Sequence, residues 1–318
     1  MPENSAPSTA PAARRIGVFG WGIVAPRSPN VDSFAANLAE ADTWLSPFDG
    51  FGPDNFLVGM PTFDLEAYRP WFEARFKPNR FSQIESKMGL PVQYAIGAFI
   101  QALGQNPGLE DVLKALGTRT RVYVGTGLGD FGTQQQESLA LYRAQRRWDR
   151  FWAQPENNSV RRAFETSPDT YDPGDAPLPE DPTTVGPLQR DEAEDVWWRY
   201  WAARAPELRT YLDAIKAIES IGVEGDVESG KLAAIKEKRR RHRKLQQSWG
   251  APEAPWTAVS PNLLWNIDNI AAAQISMLGG LTGMAIGPAA ACSTFGINLK
   301  LAMEAIHGGL ADAVVVGA

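Results

Sequence analysis

Gly287-Pro-Ala-Ala-Ala-Cys-Ser-Thr-Phe-Gly-Ile-Asn298 carries the only cysteine of the chain, and a helical pattern follows it at once. Ile297, Leu301, Ala305 and Ile306 recur at helical spacing until Gly308-Gly309 supplies a stop, and Ala313-Val-Val-Val316 then reads as a buried strand. Cys292 therefore sits at a turn that opens a helix. Unpaired backbone N–H groups and the helix dipole favour an anion at such a place, which is the setting of an activated nucleophile and of an oxyanion donor. The plainer reading of a lone cysteine, a small buried hydrophobe, stays open on these residues alone.

Upstream of the turn, Asn269 to Leu299 contains no charged residue. Gly279-Gly280, Gly283, Gly287-Pro288 and Gln274 interrupt it, so it reads as a deeply buried core or subunit interface rather than a lipid span. Arg119 to Thr126 reads as a strand running into Gly127-Leu-Gly129-Asp-Phe-Gly132. These glycines match the spacing G-x-G-x-x-G, but Gln134-Gln-Gln136 and an Arg-rich helix follow, without the second strand and acidic residue of a dinucleotide fingerprint. A glycine-rich turn beside another site is the better reading, and no cofactor is expected. Phe81 to Leu103 is strongly helical, with Pro91 kinking or restarting it. Asn30 to Glu40 reads as a short capped helix, Ala41 to Arg80 as mostly loop, and Arg15 to Gly20 as a short strand.

Residues 134–259 change character. Seven of the eleven tryptophans fall there (Trp148, Trp152, Trp197, Trp198, Trp201, Trp249 and Trp256), with many charges and a Pro/Asp/Thr-rich middle from Ser167 to Pro187. The pattern predicts a helix, a mobile loop and a helix pair, with Trp197, Trp201 and Leu208 on one face, and then a highly basic helix from Lys231 to Gln247. So many large apolar rings belong to a segment that packs on itself or on its host, not to a solvated linker. The domain reading is a disordered tail at 1–14, a first part of one domain at 15–133, an inserted helical segment at 134–259, and the nucleophile part of the host domain at 260–318.

The 318 residues carry a formal net charge of −6, so no global basic face speaks for nucleic-acid binding. One cysteine rules out an intramolecular disulfide framework, and two histidines (His242 and His307) without a cysteine cluster form no recognisable zinc site. Met1 to Ala13 has no apolar core of a signal peptide, and the expected compartment is the cytoplasm.

With these pieces in place, the chain resembles the β-ketoacyl synthases of the thiolase-like superfamily. Ala291-Cys-Ser-Thr-Phe-Gly-Ile-Asn298, followed by Ala302, Ile306, Gly308, Asp312 and Val314-Val-Val-Gly317, is similar to the family's nucleophile elbow, buried helix and next strand. Asn269 to Gly283 is similar to its interface helix and the glycine-rich turn after it, Arg15 to Pro26 to its opening strand, Lys87 to Leu103 to its first long helix, and Val122 to Gly132 to its second glycine-rich motif. The resemblance implies an α/β, thiolase-like layered fold (the first half, αβα) carrying an inserted, mostly helical segment. It implies an acyltransferase whose nucleophile is Cys292, with the Cys292 backbone N–H as oxyanion donor and Thr294 and Phe295 as substrate-pocket candidates. The substrate would be an acyl carrier protein or acyl-CoA thioester, and the assembly a homodimer or a heterodimer with another ketosynthase-fold chain.

The family condenses the acyl group with a carbanion formed by decarboxylation of a malonyl thioester, and uses two histidines and a lysine of its second half to do so. Those residues are not expected in this chain, which ends directly after the strand that follows the nucleophile helix. His307 lies 15 residues beyond Cys292 on one helix, about 22 Å away at the helical rise, and cannot substitute; His242 belongs to the basic run and is expected to face water. Two functions therefore stand: a ketosynthase or its nucleophile-bearing half, and a non-catalytic thiolase-fold subunit that pairs with a complete synthase. A cysteine peptidase ranks below both, for want of a histidine near Cys292. Phe295 stands where the family usually has a small residue, so it either reshapes the acyl pocket or packs beneath the turn. The basic run Lys236 to Lys244 is either a solvated face or an attraction for an acidic carrier.

Overall fold

The computed structural model describes residues 15–41, 43–48, 56–222 and 228–318. The tail expected at 1–14 lies outside them. In chain order the elements are α1 (Val31–Glu40), β1 (Ser46–Pro47), β2 (Leu57–Val58), α2 (Arg69–Glu73), α3 (Asn79–Lys87), α4 (Leu90–Gly104), α5 (Leu109–Ala115), β3 (Thr120–Val124), α6 (Phe131–Ala153), α7 (Ser159–Thr166), α8 (Arg190–Ala202), α9 (Pro206–Glu219), α10 (Glu228–Trp249), α11 (Ile270–Gly279), β4 (Ala285–Ile286), α12 (Thr294–His307) and β5 (Ala313–Gly317). Short 3-10 turns punctuate this order, and the class is mixed α/β. The chain divides into two compact units, Met1–Gln134 with Pro261–Ala318, and Gln135–Ser260. Among the described residues no helix is long and apolar enough to cross a membrane.

The first unit is built around a three-stranded parallel sheet of order β4-β3-β5. β3 pairs with β5 from Thr120↔Ala313 to Val124↔Gly317, and with β4 at Val122↔Ala285 and Tyr123↔Ile286. Alternation along the strands sorts their side chains into different clusters. Val122 and Val124 pack with Phe99, Leu103, Leu113, Ala271, Ala272 and Ile275, joined by Ala313 and Val315. Tyr123 packs with Ala302, Ala305 and Ala311, joined by Val314 and Val316. β5, expected as a buried strand, is half-buried along its whole length, at one edge of this sheet among the described residues, while Val122, Tyr123 and Val124 of the central β3 are buried. Arg119 and Asp312 form an ion pair beside the amino ends of β3 and β5, where Asp312 N–H also donates to the Arg119 carbonyl at 2.9 Å.

One local expectation is corrected, and two others gain detail. Arg15 to Gly20 forms no strand. Instead Trp21 and Ile23 donate their N–H groups to the side-chain oxygens of Gln105 and Gln101, each at 3.1 Å, and a Cβ at Gly22 would stand 1.9 Å from the Ala98 carbonyl. The segment is thus laid directly on α4, whose glutamines satisfy donors that a neighbouring strand would otherwise serve. Of the kink or restart expected at Pro91 the structure has the restart: Met88 turns extended (φ −104, ψ 133) and a second helix begins at Leu90 with Pro91 in the first turn, where a missing N–H costs nothing. The stretch 41–80, expected as mostly loop and described except for 42 and 49–55, has short elements between its loops: the two-residue strands β1 and β2, paired antiparallel, and the helix α2, whose Phe72 is buried in a cluster with Leu65, Phe81, Ile84 and Ile96.

The second unit is helical, and four of its seven tryptophans, Trp148, Trp152, Trp197 and Trp201, are buried in its core. Trp148 and Trp152 pack with Tyr211, Ala202 and Ala251, while Trp197, Tyr200, Trp201 and Ala153 form an adjoining cluster with Phe164 and Tyr171. Asn158 caps α7 and is itself buried: its Oδ1 accepts from Arg161 N, and its Nδ2 donates to the carbonyls of Trp152 (3.1 Å) and Trp201 (2.8 Å). It thereby ties three helices together through backbone groups. His242 differs from its expectation of facing water. Its Nε2 lies 2.6 Å from Glu219, which also pairs with Lys238, so a hydrogen bond and an ion pair fasten the basic helix to the end of α9.

Asp149 gives this unit a pH dependence. It is buried, its carboxylate accepts one bond from Gln145 (2.7 Å), and burial raises its pKa, with Gln145 and the Arg199 charge opposing. A carboxyl whose folded pKa lies above its unfolded value contributes stability in acid and loses it as pH rises through the folded pKa. Asp149→Asn keeps the acceptor for Gln145 and removes the charging cost. Thermal melts of the two proteins should therefore separate near neutral pH, the variant being the more stable, and converge at about pH 3.

Candidate active site

Cys292 is a free, exposed thiol. It occupies the middle of a 3-10 turn, Ala291–Ser293, that leads without a break into α12. The turn lies beyond the carboxyl ends of all three parallel strands: β4 runs into it through Gly287-Pro288, Gly125 follows β3, and Gly317 ends β5. In open parallel sheets this is the edge at which ligands bind.

The turn is held by a small set of contacts. Ala291, immediately before the cysteine, has φ +46, a conformation that costs an L-residue about 1–2 kcal/mol and that persists where the surroundings fix it. Thr294 fixes it. Its hydroxyl accepts from Ala290 N–H at 3.0 Å and donates to the Ala291 carbonyl at 2.8 Å, and the residue is 1 % exposed. Ser293 N–H donates to the Ala290 carbonyl and Thr294 N–H to that of Ala291. Gly125 passes so close that a Cβ there would stand 1.8 Å from the Pro288 carbonyl oxygen, and at Gly127 it would meet Ala291 at 3.6 Å. Asn298, fully buried one turn into α12, donates to the Gly317 carbonyl at 2.8 Å, which also receives Gly125 N–H at 3.2 Å. The end of β5, the glycine after β3 and the nucleophile helix thus share one acceptor.

Thr294 and Phe295 divide the roles expected of them as a pair. Thr294 lies beneath the turn with its hydroxyl committed to it. Phe295 is 53 % exposed, so it does not pack beneath the turn. With Leu299 and Met303 it forms an exposed apolar stripe at i, i+4 and i+8 along α12. His307 is the last residue of the same helix, and His242 belongs to the other unit. Sequence reasoning missed Gly125 and Asn298. The signal for Gly125 was a glycine placed directly after a strand, but its neighbour Pro288 is far away in the chain and no local rule pairs them. Thr294→Val is expected to leave Ala290 N–H without its partner and the Ala291 carbonyl with the Thr294 N–H alone, and to cost about 1–3 kcal/mol by denaturant titration, with Thr294→Ser restoring most of the loss.

The chemistry this arrangement allows is that of an exposed thiol at the start of a 14-residue helix, on a turn that is rigid and closely packed from below. A family comparison agrees with the geometry: residues 213–318 match the family described as beta-ketoacyl synthase, N-terminal domain. The match begins in α9, within the segment 134–259, and runs through the cysteine turn, α12 and β5. A comparison with curated proteins gave no match.

Proposed function

We propose, for a chain that carries a β-ketoacyl synthase N-terminal domain over residues 213–318, that Cys292 is the acyl-accepting nucleophile of a decarboxylative condensation. The Cys292 thiolate attacks the carbonyl carbon of an acyl thioester delivered by a carrier protein or coenzyme A. A new carbon–sulfur bond forms, the tetrahedral oxyanion is held by the Cys292 N–H, and the donor thiolate leaves as the oxyanion collapses. Thr294, Asn298 and Gly125 are positioning residues: they touch the turn, not the substrate. Phe295 and the apolar stripe behind it give the acyl chain a surface to lie on. In the second half-reaction a malonyl thioester loses carbon dioxide, and its carbanion attacks the Cys292 thioester, forming the carbon–carbon bond and returning the thiolate. That step needs proton-handling groups, and His307, at the opposite end of α12 from Cys292, is not placed to serve it. Residues 134–259 are read as an insertion into the synthase unit.

The single observation that carries this reading is the exposed Cys292 on a strained turn at the carboxyl edge of a parallel sheet, directly ahead of α12. It is tested with a radiolabelled acyl thioester. Cys292→Ala is expected to lose covalent label by at least about 100-fold at unchanged melting temperature; equal labelling of the variant would remove the nucleophile role. The second reading, a non-catalytic subunit that pairs with a complete synthase, draws on the placement of His307 at the far end of α12 from Cys292. It predicts that the chain raises condensation by an added synthase whether or not Cys292 is present.

A further inference from the structure

The helical unit carries two strongly charged surfaces of opposite sign that, among the described residues, do not pair with each other. Lys236 to Lys244 holds seven cations and one acid, and Asp169 to Asp195 holds nine acids and one arginine. Internal pairing accounts for only part of each. On α10, Glu237 takes Arg240 and Arg241, and Glu219 takes Lys238 and His242. Lys236, Arg239, Arg243 and Lys244 are exposed, make no ion pair among the described residues, and stand at i, i+3, i+7 and i+8, on one helix face. They line one open depression with Arg240 and Gln247. In the acidic segment, Arg146 engages Asp191, Glu194 and Asp195, and Asp181 closes its own turn through Thr183. Asp169, Asp175, Glu180 and Glu192 are exposed and likewise without an ion pair among the described residues.

Exposed apolar side chains accompany both charged surfaces, as they also occur elsewhere in the unit at Leu139, Val196 and Trp256. Leu188, in the acidic segment, is 95 % exposed, and Leu232 and Ile235, one turn before Lys236 on α10, are 59 % and 48 % exposed. A leucine held out to water beside unpaired acids, and a leucine–isoleucine pair beside unpaired cations, are matching halves of one contact.

We propose that α10 is the docking surface for a second copy of this chain, occupied by that copy's acidic segment 169–192. Every molecule carries both halves, so a two-fold arrangement makes the contact twice, segment to helix and helix to segment. Once one contact forms, the other becomes intramolecular and adds avidity. An unrelated acidic partner would satisfy the cations but leave the chain's own unpaired acids and Leu188 without a role. The inference does not rest on the acyltransferase reading, and its test does not use activity.

The test is sedimentation velocity of the full chain as salt is lowered from about 1 M to about 0.1 M, which lengthens the screening distance from about 3 Å to about 10 Å. Reversible association should appear at low salt. Arg239→Glu with Arg243→Glu should abolish it, and so should Asp175→Lys with Glu180→Lys, since all four side chains are exposed and none contributes to a core. An equimolar mixture of these two double variants should regain it, because each then offers the sign the other lacks on both contacts. Leu188→Ser should weaken the low-salt association by about tenfold. A sedimentation coefficient that does not change with salt, loss in the α10 variant without loss in the acidic-segment variant, or a mixture that stays dissociated would each overturn the proposal.

Discussion

Trp201→Ala is expected to lower the stability of the helical unit by about 3–5 kcal/mol, against a total of about 5–15 kcal/mol for a typical domain. Trp201 has no exposed surface, and its ring centroid lies 4.8 Å from that of Phe164, 5.2 Å from those of Tyr171 and Tyr200, and 5.7 Å from that of Trp197. The Arg161 guanidinium stands 4.9 Å from the same ring, and Asn158 donates to the Trp201 carbonyl. Alanine removes the partner of four rings at once, and the cavity cannot collapse easily. Three of the neighbours are held independently: Trp197 by a second cation–π contact with Arg161, Tyr200 by one with Arg204, and Tyr171 by a hydroxyl contact with Tyr200 at 3.1 Å. Tyr200 reports the outcome on its own account. Burial, then the Tyr171 hydroxyl, push its phenol up to about 12, so an absorbance titration of the variant should show that phenol ionising at lower pH as the cluster opens. Trp201→Phe, which keeps a ring, should cost less than half as much. A melting temperature within about a degree of the parent would contradict the packing account.

Gly125→Ala is the second large effect, and it falls on the reaction. The added Cβ would lie 1.8 Å from the Pro288 carbonyl oxygen and 2.8 Å from Thr294 Cγ2, far inside contact distance. Retreat is blocked, because Gly125 N–H is fixed to the Gly317 carbonyl that also anchors Asn298. The segment from Pro288 to Ala291 must therefore move, and the cysteine with it. A cost of about 3 kcal/mol or more is expected from overpacking, and acyl loading of Cys292 should fall by about 100-fold, the scale of an ångström-sized misplacement. Gly104→Ala is the control. It lies at the end of α4 with nothing within 4 Å, so it should leave loading unchanged and stabilise the helix slightly.

Particular residues show why some of this was readable from sequence. β3 and β5 are short apolar runs bounded by glycine, and the helix after Cys292 carries its own periodicity and stop, so local rules suffice for each. Pro91 announces a restart for the same reason. The family resemblance was legible at the cysteine turn, and the family match includes that turn. Arg15 to Gly20 misled because its alternation is that of a strand, while the residues that follow it, Trp21 and Ile23, are held by Gln105 and Gln101, at the end of a helix far along the chain. β4 is two residues long and gives no period to read. Thr294 looked like a pocket residue because it neighbours the cysteine. Its inward direction is set by the φ of Ala291 and by two hydrogen bonds that no pattern encodes. His242 looked solvated because its run is charged, and only the packing of α10 on α9 brings Glu219 to it.

The central claim is that Cys292 takes the acyl group, and peptide mapping by mass spectrometry tests it most directly. After incubation with an acyl thioester, the parent chain should gain one acyl mass, carried wholly by the peptide that contains Cys292 and released by hydroxylamine, as a thioester is. An unmodified Cys292 peptide, or acyl mass on any other residue at equal yield, would contradict the account.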